Sequence, residues 1–274
     1  MFTTRLVSGI ILVILALVLV TTGGGVLFAA VAAISLIGMF ELYRVMKLEK
    51  TPLAAVGYLA AALYYGFVWF EKEDLMMLMA AAFVMVLMAV YVFTFPKYKT
   101  EEITITFFGV FYVAVMLSYL FLVRRAADGV YLVWLIFLCS WGCDTCAYCA
   151  GMLFGRHKLA PVLSPKKSIE GAIGGMVGAA LLGALYGAVF GTHMEEVGNP
   201  VIACCAACAI AAVISQIGDL AASAIKRNHQ VKDYGTLIPG HGGILDRFDS
   251  MMFTAPAIIC YLFYGSALAY RRKS

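Results

Sequence analysis

Charge is scarce in this chain: 13% of its 274 residues are Asp, Glu, Lys or Arg, where a soluble domain carries about 25%. That shortage excludes an ordinary water-soluble domain. No stretch reads as a Ser/Thr/Gly linker or a soluble appendage. There is no Walker A loop, no G-x-G-x-x-G fingerprint and no G-x-S-x-G elbow, which excludes the P-loop, dinucleotide-binding and elbow-serine classes.

What is present is apolar, 63% of the chain. A helix of about 20 apolar residues crosses the hydrocarbon core. Nine such runs are predicted, at roughly 6–22, 26–43, 53–70, 75–95, 103–123, 130–154, 171–191, 201–225 and 251–270. The expected fold is therefore an all-α polytopic membrane protein with about nine transmembrane helices. The first run lacks a small-residue cleavage site and leads straight into the second, so it reads as a retained span. With nine spans, fourteen Lys and Arg fall on one side and six on the other. The richer side should face the cytoplasm, placing the N-terminus in and the C-terminus out.

All eight cysteines fall inside predicted spans. Cys143-x-x-Cys146-x-x-Cys149 has a metal-like look, but helical steps of three make a drifting stripe, and closed zinc sites take four ligands. The reading adopted is small apolar packing residues.

The two halves differ. Residues 1–129 hold five spans whose charges sit near span ends, with no polar constellation inside, and read as a scaffold. Residues 130–274 carry the chemistry. Asp144 falls within the sixth span and Asp219 within the eighth. A carboxylate at the centre of a membrane helix costs about 2.5–3.5 kcal/mol on insertion scales, so it calls for a partner, a metal or water. Glycines 171, 174, 175, 178, 183, 187 and 191 in span seven recur at spacings that let helices pack closely.

Three polar elements stand out. Ser164-Pro165-Lys166-Lys167-Ser168 precedes span seven. Ser then Pro reads as an N-cap and first helical residue, and two lysines at a helix start suit phosphate. Asp219, Ser223, Lys226 and Arg227 share one helical face by their spacing. The third element runs from Lys232-Asp233 through Pro239-Gly240-His241-Gly242-Gly243 to Asp246-Arg247-Phe248-Asp249. Its glycines allow close backbone approach. Asp246 and Asp249 are three apart at the expected start of span nine. Mg²⁺ is held by one or two carboxylates plus substrate phosphates and water, and Arg247 is a fork-shaped phosphate donor. Acids, a metal and basic clamps together suggest phosphoryl or nucleotidyl transfer, which depends on positioning and charge neutralisation.

The stretch Ser223 to Asp249 resembles the signature of the phosphatidate cytidylyltransferase, or CDP-diacylglycerol synthase, family of bacterial type. Ser223, Lys226-Arg227, Lys232-Asp233, His241-Gly242-Gly243, Asp246-Arg247 and Asp249 fill that signature without a gap. Asp144-Thr145-x-Ala147-Tyr148-x-x-Gly151 and Ser164-Pro165-Lys166-Lys167 are also similar to the family's motifs. The resemblance implies that CTP and phosphatidate give CDP-diacylglycerol and pyrophosphate in phospholipid biosynthesis. It further implies Mg²⁺, a second cation that could be monovalent such as K⁺, a homodimer, membrane lipids as surroundings and no nucleic acid. On this reading Asp219 and Asp246 bind metal, with Asp249 and Asp144 as further ligands or support. Asp144, Lys167, Asp219, Asp246 and Asp249 form the catalytic set. Ser164, Lys166, Lys167, Ser223, Lys226, Arg227, Lys232, His241 and Arg247 contact substrate phosphates. A polar, cytoplasm-facing cavity in the C-terminal half would admit both substrates at an inner membrane. The alternatives are a related CTP-using enzyme for an ether-lipid or polyprenol phosphate, and an ion-conducting protein. The latter should show inverted repeats, and neither motif recurs in the chain.

Overall fold

The computed structural model describes residues 2–271, and the side chains of residues 6–261. All nine expected runs are helical: α1 (Phe2–Thr22), α2 (Gly24–Val45), α3 (Pro52–Trp69), α4 (Met76–Thr94), α5 (Thr100–Arg125), α6 (Gly129–Phe154), α7 (Ile169–Phe190), α8 (Pro200–Asn228) and α10 (Met251–Arg271). A four-residue helix, α9 (Leu245–Phe248), precedes the last. Among the described residues seven helices are long and apolar enough to cross a membrane, and Leu6–Thr22 is a shorter apolar one. The side chains of the ninth run beyond residue 261 lie outside the described residues. The chain is a multi-pass membrane protein. Outward-facing Leu6, Ile10, Ile14, Met77, Phe93, Leu181 and Leu185 are what a helix presents to lipid rather than to water.

Two compact units are present, Met1–Ser118 with His229–Arg247, and Tyr119–Asn228 with Phe248–Ser274. This partition differs from the expected division at residue 129. The loop 229–247 packs with the N-terminal helices.

In the first unit, Gly23 and Gly24 adopt left-handed φ of 62° and 52° and separate α1 from α2. Thr51 caps α3 by accepting from Ala54 N at 3.2 Å, with Pro52 in the first turn. Helices α2, α3 and α5 close on Tyr43, whose ring lies against Gly57 and Gly109 where any Cβ would collide. Its hydroxyl donates to Thr106 O at 2.8 Å. Ser35 bonds Tyr65 at 2.6 Å, and Tyr64 bonds Ser118 at 2.8 Å. The expected absence of polar groupings inside the first five spans is thus corrected. These hydroxyls meet one another or backbone carbonyls, because a buried polar group is costly without a partner.

In the second unit α7 packs against both α6 and α8 through its glycines. Gly174, Gly175 and Gly178 lie on Ala150, Ala147 and Cys146 of α6, while Gly183 and Gly187 lie on Cys208 and Pro200 of α8. Cys143, fully buried, and Cys146, seated on Gly178, are packing residues, whereas Cys149 is exposed. A turn of π-helix at Leu138–Gly142 widens α6 immediately before Asp144, a feature that recurs at functional sites.

Between α6 and α7 the chain forms a β-hairpin, β1 (Lys158–Ala160) antiparallel to β2 (Ser164–Ser168). The expected cap at Ser164 is therefore corrected. Pro165 sits in a strand whose two-stranded edge needs no N–H there. The N-cap is Ser168, four residues later, accepting from Gly171 N at 3.1 Å.

Candidate functional site

The hairpin, α6, α7 and α8 enclose a cavity of about 520 Å³ in the second unit. Asp144, Tyr148, Lys166, Lys167, Gln216 and Asp219 supply most of its polar wall, while Gly151, Gly171 and Ala172 form its floor. The close α6–α7 contact brings Asp144 and Tyr148 beside the lysines of β2. Lys167 Nζ forms an ion pair with Asp219 Oδ2, each side chain about one quarter exposed. Partly exposed charges gain little stability from such a pair, so its interest is chemical: a cationic donor and a carboxylate face the same space.

The base of the hairpin is tied by Glu170. Its carboxylate accepts from Arg156 N at 3.1 Å and His157 N at 3.2 Å, and pairs with His157 Nδ1 at 2.6 Å. Together with the Ser168 cap, this fixes where Lys166 and Lys167 leave the strand.

Asp249 lies in the same unit, 7% exposed, with Ser250 N donating to its Oδ1 at 2.8 Å. Burial, followed by the like charge of Asp219, pushes its carboxyl up to about 7, while the cation of Lys226 opposes this. Gly218, next to Asp219, has no room for a Cβ against Phe253 and Asp249 O. Glycine at 218 thus permits the close approach of the two acidic positions. Lys226 is buried and Arg227 exposed, so the expected common face of Asp219, Ser223, Lys226 and Arg227 splits at its outer end. Adjacent residues on a helix point about 100° apart.

The residues fit a hard divalent cation in one respect. The buried Asp249 feels the like charge of the part-exposed Asp219, which a cation would relieve. Among the described residues no three His, Cys, Asp or Glu side chains converge into a cage.

The signature residues from Lys232 to Arg247 belong to the first unit. Asp246, 7% exposed, accepts through Oδ2 from Tyr234 N at 2.8 Å and Gly243 N at 3.0 Å. Gly242 sits at φ 88° with Asp246 Oδ2 against the place of a Cβ, so the glycine is required there. His241 Nδ1 shares a hydrogen bond with Ser8 Oγ of α1 at 2.8 Å. Arg247 Nε is buried and makes no hydrogen bond, a donor that leaves a desolvation cost until an acceptor arrives. Lys232 is exposed, and Ser223 half-buried. Ser164 stands at the far end of β2 and does not line the cavity.

Sequence reasoning missed two groups. Gln216 lines the cavity and donates from Nε2 to Ala172 O at 3.1 Å. Its signal was a polar residue within a span, one turn before Asp219. Glu41 of α2 is 3% exposed, and its carboxylate accepts from Ile244 N at 3.0 Å and Leu245 N at 2.9 Å. Beside it Arg44 Nη2 donates to Tyr234 O at 2.7 Å.

The model of the cytidylyltransferase family matches residues 3–265. A protein of Staphylococcus aureus (strain COL) named phosphatidate cytidylyltransferase is 33% identical over 259 residues, covering 93% of this chain and 96% of the relative. A Bacillus subtilis (strain 168) protein of the same name is 31% identical over 261 residues, covering 92% and 94%. One from Staphylococcus haemolyticus (strain JCSC1435) is 30% identical over 260 residues, covering 93% and 96%.

Proposed function

The chain belongs to the cytidylyltransferase family, and on that premise we propose that it joins phosphatidate to the CMP part of CTP, giving CDP-diacylglycerol and pyrophosphate. The observation that carries this reading is the cavity of the second unit. Two lysines of a hairpin, Lys166 and Lys167, face Asp219 and Asp144 in a space bounded by membrane-spanning helices. A nucleotide triphosphate brings the anions those lysines attract, and a lipid phosphate can reach such a place without its acyl chains leaving the bilayer.

An oxygen of the lipid phosphate attacks the α-phosphorus of CTP, and the bond to the β-phosphate oxygen breaks to release pyrophosphate. The attacking oxygen is already anionic at neutral pH, so no strong general base is needed. Lys166 and Lys167 would hold phosphate oxygens in line. Lys226, Arg227, Lys232 and Arg247 are the further basic groups proposed to neutralise the triphosphate, with Ser223 and His241 positioning it. Asp219 and Asp249, supported by Asp144, would hold Mg²⁺, and Asp246 is proposed as a further ligand. A bound divalent cation neutralises phosphate charge and orients the leaving group. Several nearby carboxylates also leave room for a second, monovalent cation such as K⁺.

The excess of Lys and Arg on one side supports a reading in which the site opens to the cytoplasm of a bacterial inner membrane, with the N-terminus inside and the C-terminus outside. A homodimer is proposed on the same family grounds. The test is direct: purified protein with labelled CTP, phosphatidate and Mg²⁺ should form CDP-diacylglycerol and release pyrophosphate only when phosphatidate is added. Pyrophosphate release without the lipid, or none with it, would overturn the reading. An ether-lipid phosphate run in parallel sets the acceptor class.

A further inference from the structure

We infer that Glu41, on a helix that carries none of the signature, is a positioning residue for the nucleotidyl transfer, fixing the turn that presents Asp246 and Arg247. The inference rests on the functional reading above. Both carboxylate oxygens of Glu41 are engaged by consecutive backbone donors, Oε1 by Ile244 N at 3.0 Å and Oε2 by Leu245 N at 2.9 Å. These are the two residues before Asp246. Arg44, three residues along the same helix, grips the other end of the loop through Tyr234 O at 2.7 Å. Asp246 closes the ring by accepting from Tyr234 N and Gly243 N. Gly235 and Gly243 lie against the Glu41 carboxylate so closely that a Cβ on either would collide with it.

The loop backbone is thus moulded around a side chain some two hundred residues earlier. Burying a carboxylate costs free energy unless it is hydrogen-bonded, and here both oxygens are; an apolar side chain in its place would leave Ile244 N and Leu245 N without these acceptors. What the carboxylate adds is direction: two adjacent N–H groups are aimed at two fixed oxygens, which sets the path of the chain into Asp246.

The experiment compares wild type, Glu41→Gln and Glu41→Leu as full-length protein in detergent. It reads kcat, KM for CTP, melting temperature and deuterium exchange of residues 233–247 in the absence of substrates and metal. Glu41→Gln keeps one acceptor and sets an NH₂ against the other donor. Its kcat should fall about tenfold, with faster exchange in 233–247 and a melting temperature close to wild type. Glu41→Leu should lose more. Wild-type kcat in Glu41→Gln, or unchanged exchange in 233–247, overturns the inference. So does a melting temperature that falls in step with kcat, which would mark a general structural role. If the Glu41 variants do not fold, Arg44→Gln decides. It removes only the Tyr234 tie, and should speed exchange near Tyr234 and lower kcat several-fold, whereas an unchanged kcat counts against the inference. A wild-type protein that makes no CDP-lipid refutes the functional reading instead, and the exchange data still judge the tie between Glu41 and the loop.

Discussion

Lys167 on β2 and Asp219 on α8 form an ion pair inside the cavity, although 52 positions separate them in the chain. The cation proposed to hold phosphate is paired with the carboxylate proposed to hold a metal. Each is therefore kept in place by the other until substrate and cation arrive.

Removing either partner should stop the reaction by a common route. Asp219→Asn and Lys167→Ala are each expected to lower CDP-diacylglycerol formation by about a hundredfold or more, the scale of losing one preorganised electrostatic group. The double variant should be little worse than either single one, because residues that act as a unit are not additive. All three should still reach the membrane. The check is turnover of labelled CTP by equal amounts of purified protein.

Asp246→Asn should also abolish turnover. Its amide oxygen can still accept from both Tyr234 N and Gly243 N, which share Oδ2, but the negative charge proposed to meet a cation is lost. Steady-state kinetics with CTP and phosphatidate would show this as a loss of kcat with folded protein present.

Metal removal should be reversible. Excess EDTA is expected to silence the enzyme, and Mg²⁺ to restore it. In Asp219→Asn, added Mg²⁺ should restore nothing across the titration, measured by CDP-lipid formation.

Stability of the metal-free protein should depend on pH through Asp249. Its carboxyl lies at about 7 instead of 3.8, chiefly from burial and then from Asp219. A carboxyl raised in the fold binds a proton there more tightly than in the unfolded chain. Its contribution is full below the ordinary value and is lost as pH rises through about 7. Melting temperature without metal should thus be higher near pH 6 than near pH 8, and Asp249→Asn should flatten that difference. Differential scanning fluorimetry in detergent measures both.

Helix packing supplies one more test. Gly175→Leu inserts a side chain where Ala147 and Cys143 of α6 already sit. Overpacking of this kind costs about 1–3 kcal/mol. Melting temperature should fall, and turnover should fall with it as Asp144 is pushed from the lysines.

The nine helices were legible because hydropathy alone marks a membrane span. Close packing of span seven was legible in the spacing of its glycines, though its partners α6 and α8 were not. The hairpin was not. Ser164-Pro165 fits a helix cap by residue type, and only pairing with Lys158–Ala160 shows that the strand wins and Ser168 takes over the cap. Glu41 and Arg44 were missed because charges near the end of a span read as interfacial anchors. Their partners lie about two hundred residues later, where sequence periodicity carries no information. Gln216 was overlooked beside the louder signal of Asp219.

The first compact unit is completed by residues 229–247, so it is not a contiguous stretch of polypeptide. A chimera that exchanges the first 118 residues with those of a relative would separate Glu41 and Arg44 from the backbone they grip. To keep its own anchors, such a hybrid gene must carry the 229–247 segment along with the amino-terminal helices. Inheritance of the two pieces is coupled in the same way, because a change at either end of the tie is felt at the other.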